Sequence, residues 1–208
     1  GVLEKVNKLL VGPGTRVLGY SPQFTSYISA VWESGGIYDY AALRPENDFA
    51  FAAADIIDRL EPEYTMVYLD NPNNPTGQII PLSDIETIVA AAASLAVVVL
   101  VDEAYGDFMD KANSALQLTD KYDNLIVVRS FSKGSGLANL RVGYGVIKGV
   151  LRPYMEKIDT PFTLPSFVSN LAAISLRDPE FVADCRRQIA TGKKRIIVAC
   201  RKLTVAKT

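Results

Sequence analysis

Histidine is absent from this sequence, which removes the commonest general base and the commonest metal ligand of proteins. Proton transfer must then fall to Lys, Tyr, Asp, Glu or Cys. Cysteine is scarce: Cys185 and Cys200 are the only two, and they sit in a helical pattern without metal-ligand spacing. A disulfide framework and a zinc site are both excluded on that count, and the two are expected to be reduced thiols of a cytoplasmic protein. Long apolar runs are missing as well. The most apolar stretches, Ala90–Val101 and Ile196–Cys200, fall short of the about 20 residues that cross a bilayer. Neither sign of charge dominates, with 22 Lys and Arg against 23 Asp and Glu and a net charge of -1. That balance leaves no footprint for nucleic acid or for an anionic membrane. The chain has no basic leader or cleavage signal, and it opens within an amphipathic pattern, as a piece of a longer chain would.

What remains is an ordinary globular composition, 49% hydrophobic and 22% charged, enough to bury one large core. Val2, Val6, Leu9 and Leu10 recur at helical spacing until Gly12-Pro13-Gly14 stops them. Strands are predicted at Arg16–Tyr20, Ile37–Ala41, Tyr64–Leu69, Val97–Val101, Leu125–Arg129 and Val142–Ile147, where apolar and β-branched residues cluster between turn signals. Helices are predicted between them, at Phe24–Glu33, at Phe49–Leu60 with Asp48 as its cap, and at Asp84–Leu95 with Ser83 and Glu86 as a capping box. Three more follow Gly149: Val150–Lys157, Ser166–Leu176, and a long helix that Asp178-Pro179 starts and that runs to Thr208. Strands alternating with helices of a dozen residues imply an α/β fold, three layers with a mostly parallel sheet.

Three polar clusters fall at the carboxyl ends of buried strands, where such sheets bind ligands. They are Asn71-Pro72-Asn73-Asn74-Pro75-Thr76-Gly77, then Asp102-Glu103-Ala104-Tyr105, then Ser130-Phe131-Ser132-Lys133 with Leu140-Arg141-Val142-Gly143-Tyr144. Each alone reads as a turn, a helix cap or a solvated lysine. Nucleotide motifs do not fit: Asn139 stands where a dinucleotide fingerprint needs glycine, and no glycine precedes Lys133 as a P-loop requires.

In order and spacing the three clusters resemble the fold-type I aminotransferases that use pyridoxal 5'-phosphate (PLP), most closely the branch containing histidinol-phosphate aminotransferase and threonine-phosphate decarboxylase. The resemblance implies that Lys133 carries the cofactor as a Schiff base and then serves as the base on the substrate. It implies that Asp102 faces the protonated pyridine nitrogen, that Asn74 and Tyr105 reach the phenolic oxygen, and that Ser130, Ser132 and Arg141 hold the phosphate. Phe24 matches the aromatic that stacks on the ring, where tyrosine is more usual, and core packing is its alternative. By the same resemblance, residues 1–178 form the cofactor-binding large domain and 179–208 a helix leading to a small domain that is largely absent. An N-terminal arm and a phosphate loop, with Gly1 as its remnant, are also absent, as is the arginine that binds a substrate carboxylate. The implied activity is transfer of an amino group between an amino acid, or an amino-alcohol phosphate, and a 2-oxo acid. Decarboxylase or lyase chemistry on the same frame, or a non-catalytic fragment, are its rivals. The implied assembly is a homodimer, with Tyr27 either in the core or contributing across the interface.

Overall fold

The computed structural model describes residues 1–159 and 163–203. Its strands are β1 (Arg16–Ser21), β2 (Ile37–Ala42), β3 (Tyr64–Asp70), β4 (Val98–Asp102), β5 (Leu125–Ser130) and β6 (Gly143–Ile147). They form one sheet in the order β2-β1-β3-β4-β5-β6. The first five run parallel, and β6 pairs antiparallel with β5. The helices are α1 (Val2–Leu10), α2 (Thr25–Glu33), α3 (Ala53–Ile57), α4 (Leu82–Ser94), α5 (Arg152–Ile158), α6 (Ser166–Leu176) and α7 (Pro179–Cys200).

Parallel strands need helices on both faces to bury them, and the side chains of β3 divide accordingly. Met66 and Tyr68 pack with Val6 of α1 and with Tyr27 and Val31 of α2. Val67 and Leu69 pack with Ile85, Ile88, Val89 and Ala92 of α4. The expected three-layer α/β/α architecture is therefore present. A smaller cluster, Phe131, Val142, Val168 and Ala172, joins the strand-end turns to α6.

Several local expectations are corrected. Asp48 ends the 3-10 turn Pro45–Asn47 and does not start a helix: it and Phe49 adopt positive φ of 51° and 55°, and the helix contracts to α3 with Ala52 as its N-cap, because the left-handed pair turns the chain before a helix can start. Ser83 and Glu86 form no capping box. Pro81 is the N-cap of α4, which puts Ser83 inside the helix, and Glu86 turns outward to pair with Lys121 at 2.5 Å. The helix expected from Val150 begins with a 3-10 turn, Gly149–Leu151, before α5. Asp178 does cap α7, accepting from the Phe181 amide at 3.2 Å, with Pro179 in the first turn. That helix ends at Cys200, and the rest of the run expected to reach Thr208, residues 204–208, lies outside the described residues.

Leu100, fully buried on the central strand β4, tests how closely this core is packed. Leu100→Ala is expected to cost about 2–5 kcal/mol in urea unfolding. A loss well under 1 kcal/mol would show that the α1–α2 face of the sheet packs loosely.

Candidate functional site at the carboxyl strand ends

The end of β4 places Asp102 with only 6% of its surface exposed. Its carboxylate accepts from the Tyr27 hydroxyl at 2.6 Å and from the Ala104 amide at 2.8 Å. No Lys or Arg lies within ion-pair distance of it among the described residues. Burial pushes the Asp102 carboxyl above its ordinary range, and the hydrogen bonds from Tyr27 and Ala104 offset this only in part. Burial, then the Asp102 charge, raises the Tyr27 phenol well above its usual value, so Tyr27 remains a proton donor to Asp102. Tyr27 is itself 3% exposed and stacks on Tyr68 at 4.8 Å. Of its two expected settings, the core is the one found, and contribution across an interface is corrected. A carboxylate so placed has half of an ion pair, and a cationic ring nitrogen is the kind of group that completes it.

Phe24, the N-cap residue of α2, stands edge-on to Tyr27 at 5.6 Å and is 41% exposed. Core packing is thus excluded for it, and its ring remains free to stack on a ligand.

After β3 the chain enters the loop that carries half-buried Asn74. The loop is fastened by Asp70, a residue the sequence reading passed over, which is 3% exposed and lies in register beside Asp102. The Asn74 amide donates to Asp70 at 2.8 Å and the Asn73 side-chain amide to both its oxygens at 3.2 Å. Asn73 in turn accepts from the Thr76 amide at 2.9 Å. An acidic residue closing an apolar strand was the available signal, the same one that singles out Asp102.

Tyr105 is bracketed by two acids that share one arginine. Arg129 donates to Glu103 at 2.7 Å and to Asp107 at 3.1 Å. The Glu103 side chain has no exposed surface and also accepts from the Ser114 hydroxyl and the Ala115 amide, both at 2.7 Å. Gly134, next to Lys133, lies so close to Asp107 that a Cβ there would stand 2.4 Å from its side chain. The turn bearing Lys133 is thereby pressed against the segment bearing Tyr105, and the Lys133 ammonium sits 5.0 Å from the Tyr105 ring centroid.

A lysine that must offer a neutral amine is expected in a partly desolvated site, and that expectation is not met. Lys133 is exposed rather than partly desolvated, because it rides on a turn beyond β5 with one aromatic ring beside it. Arg141 is exposed too, at a φ of 53°, and its guanidinium donates to the Ala138 carbonyl at 2.9 Å, not to Ser130 or Ser132. Its backbone is nonetheless held at the same turn, since the Phe131 amide donates to the Val142 carbonyl at 3.2 Å. Ser130 closes that turn by accepting from the Ser132 amide at 3.0 Å. Asn74 and Tyr105 line one open cleft of about 1060 Å³, which Arg186, Ile189 and Lys193 of α7 face from the other side. Asp102, Phe24 and Lys133 are not in its lining. Among the described residues no group of His, Cys, Asp or Glu could hold a metal ion, and no helix is long and apolar enough to cross a membrane.

The family described as aminotransferase class I and II matches residues 2–206. A histidinol-phosphate aminotransferase of Halorubrum lacusprofundi is 36% identical over 185 residues, 88% of this chain and 50% of the relative. One from Methanococcus maripaludis is 32% identical over 204 residues, 97% of this chain and 53% of the relative. The chain thus spans about half the length of the curated relatives it matches. Among solved structures, the histidinol-phosphate aminotransferase of Sinorhizobium meliloti in complex with pyridoxal-5'-phosphate superposes with a TM-score of 0.82 at 25% identity, over 94% of this chain and 53% of that one. The Clostridium acetobutylicum histidinol-phosphate aminotransferase, at 22% identity, shares the fold with a TM-score of 0.88 over 100% of this chain and 60% of its own.

Two outcomes follow from the site's electrostatics. With the Asp102 pKa raised by folding, its ionisation costs nothing below the unfolded value of about 4 and destabilises the ligand-free chain as pH rises through the folded value. Asp102→Asn is therefore expected to melt above the wild type at neutral pH, the gap closing as pH falls toward 4; a neutral-pH melt below wild type would contradict a costly buried charge. Arg129→Ala strands the Glu103 carboxylate and is expected to lose about 3–5 kcal/mol in urea unfolding, whereas a loss under 1 kcal/mol would show the bracket to be incidental.

Proposed function

We propose, since the chain belongs to the class I and II aminotransferases, that it forms the PLP-binding core of an enzyme moving an amino group between an amino acid and a 2-oxo acid. The observation that carries this reading is Asp102, buried at a strand end with a phenol and an amide for company and, among the described residues, no Lys or Arg within ion-pair distance. PLP, when bound, supplies an aldehyde that condenses with amines and a protonated ring that accepts the electron pair of a substrate α-carbon.

The remaining work falls to the chain. Asp102 holds the proton on the ring nitrogen, and Tyr27 keeps that carboxylate aimed. Phe24 offers a face against which the ring is confined. Asn74 and Tyr105 donate to the ring oxygen and so set the proton affinity beside it. Ser130, Ser132 and Arg141 take the phosphate, Arg141 by leaving the Ala138 carbonyl for a charge-assisted contact. Lys133 would hold the cofactor through its amine and, when that amine is free, would take or return a proton at the substrate α-carbon. Its place over the Tyr105 ring would restrain it while it is free.

Residues 1–178 make up the cofactor domain in this reading, and α7 leads out of it. The relatives' names point to histidinol phosphate as their substrate, an amino-alcohol phosphate, and we take that as the substrate class here. A homodimer is the proposed assembly, supported by Phe167, Leu171 and Ile174 on α6 and Phe181, Ile189 and Ile196 on α7, all apolar and exposed.

The decisive experiment is borohydride reduction of the PLP-treated chain, followed by peptide mapping. The reduced pyridoxyl label is expected on Lys133 and is lost in Lys133→Ala with the circular dichroism spectrum unchanged. A label that maps to another lysine would sink the assignment.

A further inference from the structure

We infer that Asp70 is a positioning residue for the two loops that face the cofactor, fixing Asn74 through its backbone amide and Phe24 through Gln23. The inference rests on the reading of Asn74 and Phe24 given above and adds to it a residue outside the three polar clusters.

Asp70 ends β3 beneath both loops, and its carboxylate is 3% exposed with no Lys or Arg paired to it among the described residues. A buried carboxylate persists only where enough donors converge on it, and here they come from two directions. From the loop after β3 come the Asn74 amide at 2.8 Å and the Asn73 side chain at 3.2 Å to each oxygen. From the end of β1 comes the Tyr20 hydroxyl at 2.6 Å, and from the loop after it the Gln23 side-chain amide at 2.8 Å. Gln23 is 5% exposed, accepts from the Tyr38 hydroxyl, and immediately precedes Phe24. The Asn73 side chain also donates to the Pro22 carbonyl at 3.3 Å, tying one loop to the other. Phe24 then opens α2, whose Tyr27 donates to Asp102.

The distribution of donors explains why a carboxylate is needed. One oxygen serves Tyr20 and Gln23, and the other serves the Asn74 amide. An asparagine at position 70 has a single acceptor oxygen. Whichever way its amide turns, an N–H meets an N–H, either at Asn74 or at Gln23, whose own oxygen is committed to Tyr38. The isosteric change therefore releases one loop without opening a cavity.

The test compares Asp70→Asn, Asn74→Ala and the double variant in the PLP-loaded chain, reading the pH midpoint of the visible band of the Lys133 adduct. A donor to the ring oxygen competes with the adduct's own proton for that oxygen, so losing it raises the midpoint. Asp70→Asn is expected to raise it by about half to one pH unit, the size of one hydrogen bond, with the double variant going no higher than Asn74→Ala alone. In the cofactor-free chain, amide exchange in the 71–78 segment is expected to quicken about tenfold with α4 unchanged. Tyr20→Phe, which keeps the ring and removes one donor to Asp70, is expected to quicken the same segment by less and serves where Asp70→Asn does not fold. If Asn74→Ala moves the midpoint while Asp70→Asn leaves both midpoint and exchange unchanged, the role of Asp70 is overturned and the site reading stands. If Asn74→Ala leaves the midpoint unmoved, the contact of Asn74 with the cofactor fails, and this inference fails with it.

Discussion

Burying one carboxylate beside another, with no Lys or Arg paired to either among the described residues, costs a folded chain several kcal/mol, and the strand ends of this protein are arranged around that cost. Asp70 and Asp102 face each other in register across β3 and β4. Asp70 meets the cost with donors from two loops, and so gives those loops their shape. Asp102 meets it only in part, with Tyr27 and the Ala104 amide, and the shortfall is what a cationic ligand would supply. The same physical problem thus has a structural solution on one strand and a ligand-seeking one on its neighbour.

The β5 side of the site is built differently, with a cation at its centre. Arg129 gathers Glu103 and Asp107 from either side of Tyr105, and the close approach of Gly134 to Asp107 transmits that placement to the Lys133 turn. Acids and an arginine held in ion pairs therefore surround side chains with more open surroundings: Lys133 and Arg141 are exposed, and Tyr105 is half-buried. Such a division suits groups that must bond and release a ligand, since the frame bears the ordering cost before the ligand arrives.

Helix α7 closes the far side of the Asn74 and Tyr105 cleft through Arg186, which donates to the Met109 carbonyl at 3.1 Å and to the Asp107 carbonyl. The Arg129 bracket is thereby continuous with the long helix, and apolar side chains such as Ile189 and Ile196 on that helix remain exposed.

Strand positions, their parallel order and the three polar loops were legible in the sequence because they depend on local signals: apolar strand runs, two prolines within Asn71–Gly77, and Asp178-Pro179 opening α7. The placement of Lys133, Asp102 and Asn74 was legible for a related reason, since each lies within a few residues of a strand's carboxyl end. The capping roles expected of Asp48 and Ser83 failed because a cap requires one backbone conformation, and a left-handed pair in one case and Pro81 in the other imposed another. The partners of Asp70, Gln23, Tyr27 and Arg129 could not be assigned from sequence, nor could the exposure of Lys133 and Arg141. Each depends on which atom of a distant segment lies within about 3 Å of which other. Chain order determines which loops lie along the sheet's edge. Only strand register and helix packing decide that Tyr27 meets Asp102, that Gln23 meets Asp70, and that Arg129 spans both sides of Tyr105, because hydrogen bonds are fixed by ångströms and periodicity only by residues.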